Sequence, residues 1–211
     1  MRCLMCGKDL MEGSLTDILI GEDPLCSSCR SQWEKIRWRF RFHGVPVYAS
    51  YLYNEAFSAC LIQYKECCDE ALADVFLTEE KNRVKRMYRG WTMIPMPSTP
   101  ERQKQRGFHH LRGMLACTGL PVLDAFEKTA AGEQKKQDRA GRLKMADAIR
   151  LKEDAVLPEK IVLFDDTVTT GSTILGALRC LEGRNIQIRI YAVSVNYRWV
   201  RKNRVSLLFK R

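Results

Sequence analysis

The feature that most restricts the fold is a strand, turn and helix pattern in residues 161–173. The apolar run Ile161 to Phe164 is followed by Asp165 and Asp166, and then by Thr167-Val168-Thr169-Thr170-Gly171-Ser172-Thr173. Four consecutive apolar residues predict a buried strand, and the apolar spacing from Ser172 to Leu181 predicts a helix. In an open α/β sheet, the turn between such a strand and helix lies at the carboxyl edge, where ligands bind. The pattern therefore favours an α/β fold with a ligand site in this turn.

The chemistry of this turn suits a phosphorylated sugar. Its hydroxyl and backbone N–H groups, the close approach that Gly171 permits and the helix N-terminus all favour a phosphate dianion. Asp165 and Asp166 repel that anion, so their expected partners are ribose hydroxyls, directly or through a magnesium ion that also ligates a pyrophosphate. An ordinary strand-turn-helix with a Ser or Thr cap is the alternative, but it accounts for only one hydroxyl. The predicted phosphate and ribose site is Asp165, Asp166, Thr167, Val168, Thr169, Thr170, Gly171, Ser172 and Thr173.

Strand-like and helix-like segments alternate along much of the remaining chain. Predicted strands are residues 45–53, 91–97, 122–126 and 186–195, and predicted helices are residues 55–64, 69–89 and 107–118. Residues 129–144 are polar and are predicted to form a mobile loop. Because strands that alternate with helices favour a parallel sheet, residues 43–211 are predicted to form one α/β domain.

Residues 1–42 are predicted to form a small metal module and a basic, aromatic connector. The pairs Cys3-x2-Cys6 and Cys26-x2-Cys29 are separated by nineteen residues, a spacing that lets two turns present four thiolates to one tetrahedral zinc ion. Four cysteine ligands leave no position for water, so the zinc is expected to be structural. A redox dithiol is the alternative, although neither pair follows a strand of the thioredoxin kind.

The charge of the chain indicates an anionic partner such as nucleic acid. The formal net charge is +10 and the isoelectric point is near 9.3, beyond what solubility requires. Arg37, Arg39 and Arg41 alternate with aromatic residues, which suits a strand, a surface on which bases stack, or a connector that packs its aromatic side chains inward. Each of the further candidate DNA contacts could also belong to a solvated helix face or to the edge of the core. These candidates are Lys81, Lys85, Arg86, Arg201 and Lys202.

The basic loop from Arg102 to Arg112 is a second candidate for anion binding. Arg102 and Arg106 could each give a bidentate contact to a pyrophosphate, and His109 and His110 could also donate. The alternative is a solvated, basic helix start. The sequence has neither a signal peptide pattern nor about 18 consecutive apolar residues, so a soluble, cytoplasmic protein without membrane insertion is expected.

Several of these segments resemble known families. Residues 161–173 resemble the signature of type I phosphoribosyltransferases, whose loop holds the 5-phosphate of phosphoribosyl pyrophosphate and whose acids hold its ribose. The run Pro95-Met96-Pro97, then Arg102, then Arg106-Gly107-Phe108 resembles the ComF family, as do Tyr64-Lys65 and the two cysteine pairs. His109 and His110 stand where that family usually has Asn and Gln, and Met145 replaces an asparagine, so the resemblance of the loop region is weakened.

The resemblance to the ComF family implies a fold and a function. The implied fold is a type I phosphoribosyltransferase-like parallel sheet flanked by helices, with an N-terminal four-cysteine zinc finger. The implied role is cytoplasmic uptake of single-stranded DNA in natural transformation, beside the ComF helicase, by a protein that binds phosphoribosyl pyrophosphate. The alternative is an active phosphoribosyltransferase that releases pyrophosphate, with magnesium, to an acceptor that the sequence does not reveal.

Overall fold

A computed structural model describes residues 2–10, 23–128, 149–197 and 199 of the 211-residue chain. The predicted mobile loop at residues 129–144 and two candidate DNA contacts, Arg201 and Lys202, lie outside the described residues. Within the described part, helices lie against a central sheet, and a small cysteine-bearing segment packs at one side of it.

The central sheet has five strands in the order β1-β2-β7-β6-β3. Strands β2, β7, β6 and β3 are parallel neighbours, whereas β1 pairs with β2 in the antiparallel direction. A separate two-stranded antiparallel sheet contains β4 and β5. The strands are β1 (Lys35–Phe42), β2 (Val45–Leu52), β3 (Thr92–Pro95), β4 (Phe126–Lys128), β5 (Ile149–Leu151), β6 (Lys160–Val168) and β7 (Gln187–Val195). The α/β class that the sequence predicts is confirmed, with an antiparallel edge strand added to the parallel core.

Two of the helices show recognisable capping chemistry. Asn54 caps its helix by accepting a hydrogen bond from the Phe57 N–H at 3.0 Å, and Thr99 precedes a helix that starts at Pro100 and ends at Gly107, which has φ +80°. The helices are α1 (Ser27–Ser31), α2 (Glu55–Lys65), a 3₁₀ helix (Glu70–Phe76), α3 (Lys81–Met87), α4 (Pro100–Arg106), α5 (His110–Ala116) and α6 (Ser172–Cys180).

Two predicted elements are wrong in detail. The helix predicted over residues 69–89 is divided into the 3₁₀ helix and α3, because the turn between them directs Glu79 and Glu80 toward the cations of β1 and α1. Glu80 is completely buried and accepts hydrogen bonds from Tyr48 and Arg37, which holds this turn against the sheet. The strand predicted at residues 122–126 is only a single bridge between Val122 and Met93, and pairing resumes at β4.

Strand β1 belongs to the sheet and does not form a separate connector. Arg37, Arg39 and Arg41 are exposed, whereas Phe40 and Phe42 are buried. The two Phe rings pack against Trp199 with ring centroids 5.1 and 5.2 Å apart. Of the three possibilities that the sequence leaves open, the structure therefore shows a strand whose buried aromatic side chains point inward. Because Phe40 and Phe42 are buried, nucleic acid bases cannot stack on them.

The cysteine-bearing segment is fixed to the core by Arg30 and Trp33. Arg30 forms an ion pair with Asp23 at 2.6 Å and donates to the Val75 carbonyl oxygen at 2.9 Å. Trp33 is buried among aromatic side chains of the main domain, with Phe57 at a centroid distance of 4.7 Å. Full burial of a large apolar side chain stabilises a fold by about 1.5–3 kcal/mol, so Trp33 belongs energetically to the core.

Among the residues that the structure describes, no helix has the length and apolar character needed to cross a membrane.

Candidate functional site

The predicted phosphate loop lies at the carboxyl end of β6 and opens onto a cavity. β6 is a central strand, and its apolar residues Ile161 to Phe164 are fully buried. The strand extends further than predicted, to Val168, so that both acids lie within it. The loop that follows begins α6 at Ser172, and the cavity, of about 330 Å³, is lined by Asp165 and by residues 167–173.

Gly171 is required in this loop for two reasons. Its φ of +75° lies in the left-handed region that other residues rarely adopt. A Cβ atom at this position would also lie 2.8 Å from the Phe42 ring and 3.3 Å from Trp199 Nε1. The β1 aromatic side chains and Trp199 therefore support the phosphate loop from behind, while Thr169 and Thr170 remain exposed.

Asp166 is held by a buried network. Its Oδ2 atom accepts hydrogen bonds from Lys65 Nζ at 2.8 Å and from His110 Nε2 at 3.0 Å. Burial by itself would raise the pKa of Asp166, but the Lys65 charge and the hydrogen bond from His110 outweigh it and hold the pKa below its ordinary value. Asp166 is therefore ionised at neutral pH.

The tautomer of His110 follows from its neighbours. A guanidinium group only donates, so the 2.9 Å contact between Arg106 Nη1 and His110 Nδ1 makes Nδ1 the acceptor and leaves the proton on Nε2. Burial also lowers the pKa of His110, which favours this neutral form. Arg106 Nε donates to the Lys65 carbonyl oxygen at 2.9 Å and completes the buried network of Lys65, Arg106, His110 and Asp166.

Asp165 has the opposite electrostatic character to Asp166. It is half-buried, and its Oδ1 accepts the Asp166 N–H at 3.0 Å. Burial and the neighbouring Asp166 carboxylate raise the pKa of Asp165 to about 8. Near neutral pH Asp165 is thus largely protonated and can both donate to and accept from a hydroxyl group, whereas Asp166 only accepts.

A second cavity, of about 170 Å³, adjoins the phosphate loop and shares Asp165, Thr167 and Thr173 with the first. Both acids and several basic side chains line it, and its further walls include the segment from Met96 to Thr99. Arg102 is exposed, whereas Arg106 is 8% exposed and is engaged by the buried network. The basic residues that line this cationic cavity are Lys65, Arg102, Arg106 and Lys128.

The four cysteines predicted as metal ligands meet at one point. The Sγ atoms of Cys3, Cys6, Cys26 and Cys29 lie within 4.8 Å of one another, and all four are free thiols. The Cys6 to Cys26 Sγ distance is 3.7 Å, close to the separation of about 3.8 Å that four sulfurs at 2.3 Å around a tetrahedral zinc ion would have. This cluster could hold a metal ion, and its all-thiolate donor set fits zinc.

The predicted DNA contacts lie in different settings. Arg37 forms an ion pair with the buried Glu80 at 2.7 Å. Arg39 and Arg41 are exposed along β1, and Lys85 and Arg86 are exposed on α3, while Lys81 is half-buried. The geometry therefore leaves Arg39, Arg41, Lys85 and Arg86 as the more accessible candidates.

Two competence proteins align with most of the chain. The chain is 29% identical to competence protein ComFC of Streptococcus pneumoniae over 207 residues, which cover 86% of this chain and 94% of that protein. It is 23% identical to competence protein ComFC of Bacillus subtilis over 210 residues, which cover 85% of this chain and 88% of that protein. These two alignments support membership of the ComF/ComFC family. No family model matches it. A hypoxanthine phosphoribosyltransferase of Staphylococcus aureus is similar over 60% of this chain and 73% of that one, with 10% identity and a TM-score of 0.38.

Sequence reasoning placed most of the lining residues but missed the network that fixes Asp166. Lys65 was visible only as part of the Tyr64-Lys65 pair that resembles the ComF family, and nothing in its spacing from Asp166 signals contact. His110 was a candidate for ligand binding, yet in the structure it is 4% exposed and bonded to Asp166. The long-range packing of α2 and α5 against β6 brings these residues together.

Proposed function

We propose that this ComF/ComFC family member acts in DNA uptake during natural transformation, binding phosphoribosyl pyrophosphate in its two adjoining cavities and single-stranded DNA on its basic surface. The observation that carries the proposal is the shared boundary of the two cavities. A phosphate in the hydroxyl-lined loop places its attached ribose beside Asp165 and Asp166 and leaves a pyrophosphate facing the cationic cavity. The relatives named above are competence proteins, which supports the same process.

Zinc is the proposed occupant of the four-cysteine cluster, in a structural role. Four thiolates close the coordination sphere and leave no open position for a substrate or water. The proposed partners are single-stranded DNA and the ComF helicase, and the proposed location is the cytoplasm, where thiolates remain reduced.

An active phosphoribosyltransferase with magnesium-dependent pyrophosphate release is the weaker alternative. Such an enzyme needs a surface that holds its acceptor. Among the described residues, the linings of the two cavities include no Phe, Tyr or Trp side chain against which a nucleobase could stack. The binding function is therefore the one that the geometry supports better.

Replacement of Thr170 by Val is expected to weaken ribose 5-phosphate binding about 5- to 10-fold, the effect of losing one hydrogen bond of about 1–1.4 kcal/mol from an exposed side chain. Isothermal titration calorimetry of the zinc-loaded protein measures this directly. Thr92→Val is the matched control, because Thr92 lies at the opposite end of a parallel strand. Equal binding by wild type and Thr170→Val, or no binding by wild type at millimolar concentration, would remove the support for a phosphate site.

Single-stranded DNA is expected to bind with low sequence preference and with an affinity that falls steeply as salt rises. Each phosphate contact adds about 0.7 to the slope of log K against log salt for a single strand. Arg39→Gln combined with Lys85→Gln should therefore lower that slope by up to about 1.4. Fluorescence anisotropy with labelled oligonucleotides of several sequences tests this. Lys160→Gln, exposed at the amino end of β6, is the charge-matched control for each of the two single variants. A salt-independent affinity, or no binding at low salt, contradicts the DNA-binding proposal.

A further inference from the structure

The cationic cavity has an excess of positive charge. Four basic side chains, Lys65, Arg102, Arg106 and Lys128, face Asp165 and Asp166, so the basic groups outnumber the acids by two even when both acids are ionised. Electrostatic interactions in such a partly desolvated pocket are stronger than in bulk water. A polyanion is favoured in this cavity, and a bare divalent cation is repelled from it.

Asp166, the acid that a divalent cation would approach, already forms an ion pair with the Lys65 ammonium. Asp166 Oδ2 accepts from Lys65 Nζ at 2.8 Å, and the same oxygen accepts from His110 at 3.0 Å. Asp166 is 5% exposed, so a metal ion could use both of its oxygens only by displacing the Lys65 ammonium and the imidazole. His110 is in turn fixed by Arg106 and the Tyr64 hydroxyl, which donates to the His110 carbonyl oxygen at 2.7 Å.

These residues do not fit the magnesium that the phosphoribosyltransferase resemblance implies. Mg²⁺ requires near-octahedral oxygen ligation and is usually bound through one or two carboxylates together with substrate phosphates. Asp166 has one oxygen engaged by two donors, and four of the other side chains that line the cavity are cationic. Lys65 thus occupies the position next to the acids that a metal would need.

We infer that this chain holds the pyrophosphate of its ligand with the side chains of Lys65 and Arg102, backed by Arg106 and Lys128, and does not need a divalent cation to bind it. The inference rests on the proposed function and specifies its cofactor requirement. Arg102 is exposed at the rim and offers the planar, bidentate fork that suits phosphate oxygens. The Lys65 ammonium has three N–H donors, so it can contact Asp166 and an incoming anion at the same time. Uncomplexed pyrophosphate carries more negative charge than its magnesium complex, so such a cavity prefers the free anion.

Calorimetry with three probes tests the inference: phosphoribosyl pyrophosphate, inorganic pyrophosphate and ribose 5-phosphate. Magnesium is removed by passing the buffers over a chelating resin, because a soluble chelator would also strip a thiolate-bound zinc ion. For wild type, we expect phosphoribosyl pyrophosphate and pyrophosphate to bind without magnesium at least as tightly as with it. Ribose 5-phosphate lacks the pyrophosphate, so its affinity should not depend on magnesium.

Variants identify which side chains supply the charge. Arg102→Met should weaken magnesium-free pyrophosphate binding by about tenfold or more while leaving ribose 5-phosphate binding within about threefold of wild type. Lys65→Met should weaken magnesium-free pyrophosphate binding by a similar factor. Lys65→Arg should retain magnesium-free binding. Lys104→Met is the matched control, because Lys104 lies on the same helix as Arg102 but does not line the cavity. Arg102 is exposed, so its variant is expected to fold even if a change at Lys65 perturbs the network.

The outcomes separate this inference from the proposed function. If wild type binds phosphoribosyl pyrophosphate only with magnesium, the inference is overturned and the proposed function stands. If ribose 5-phosphate binds but pyrophosphate does not bind in either buffer, the cavity is not a pyrophosphate site and the inference is again overturned. If none of the three probes binds in either buffer, the proposed function fails and the inference fails with it.

Discussion

Cys26→Ser is expected to release the metal and unfold the cysteine-bearing segment while the sheet remains folded. Metal binding by four-thiolate sites supplies about 10–16 kcal/mol in small zinc-binding peptides, and residues 2–10 and 23–31 contain little apolar surface of their own. Loss of one thiolate should therefore reduce the bound zinc from about one ion per chain to a small fraction of that. Elemental analysis of protein purified without chelator measures the zinc content.

The structure limits how far that unfolding extends. β1 is hydrogen-bonded to β2, and Trp33 packs among Tyr51, Phe57 and Phe76. Unfolding in Cys26→Ser should therefore stop near residue 31, which limited proteolysis followed by mass spectrometry will locate. Cys67→Ser is the control, because Cys67 is exposed and lies outside the cluster. A wild-type protein without zinc, or loss of cooperative unfolding of the whole chain in Cys26→Ser, would contradict this division of stability.

Asp166→Asn and Asp165→Asn are expected to shift stability in opposite directions. Asp166→Asn removes the charge that Lys65 and His110 are arranged around, and breaking a buried ion pair costs about 3 kcal/mol or more. Because the pKa of Asp166 in the folded state lies below its ordinary value of 3.8, its contribution is present above pH 4 and is lost as the pH falls through the folded value. Urea unfolding at pH 7 should show the full difference.

Asp165→Asn should instead become more stable than wild type as the pH rises. Folding raises the pKa of Asp165 from 3.8 to about 8, so the folded state binds the extra proton and wild-type stability falls between those values. Asparagine keeps an Oδ1 acceptor for the Asp166 N–H but has no charge to desolvate. The stability gap between Asp165→Asn and wild type should therefore widen from pH 4 to pH 8 and then level off. Parallel pH profiles for the two variants, or a gap that narrows with rising pH, would refute the assigned charges.

Both acids are also expected to contact the ribose, so each variant should weaken ribose 5-phosphate binding by roughly 1–3 kcal/mol. The structure corrects one expectation here. The sequence predicts that both acids follow the strand, in the turn at the edge of the sheet, where a change would affect the pocket and not the fold. Asp166 instead lies within β6 and supports long-range contacts, so its replacement affects folding as well as binding.

The sequence by itself determined the parts of this protein whose chemistry is local. Four cysteines in two Cys-x2-Cys pairs define a cluster that could hold a metal ion without reference to the rest of the fold, because each pair needs only a tight turn. The run from Ile161 to Thr173 likewise specifies a strand, a glycine turn and a helix N-terminus through adjacent residues. The alternation of Arg37, Arg39 and Arg41 with aromatic residues left a strand as one of three possibilities, and the exposed and buried sides of β1 follow that period of two.

Only the tertiary structure decided which side chains meet across the chain and what charge they carry. Lys65 and Asp166 are 101 positions apart, and His110 and Asp166 are 56 apart, so no local pattern links them. The Lys65 charge and the His110 hydrogen bond outweigh burial and lower the pKa of Asp166, whereas burial and the adjacent Asp166 carboxylate raise the pKa of Asp165. The two acids look equivalent in the sequence. Burial and charge act through space, at distances of a few ångströms that depend on the whole fold, and these fix the electrostatics of the site.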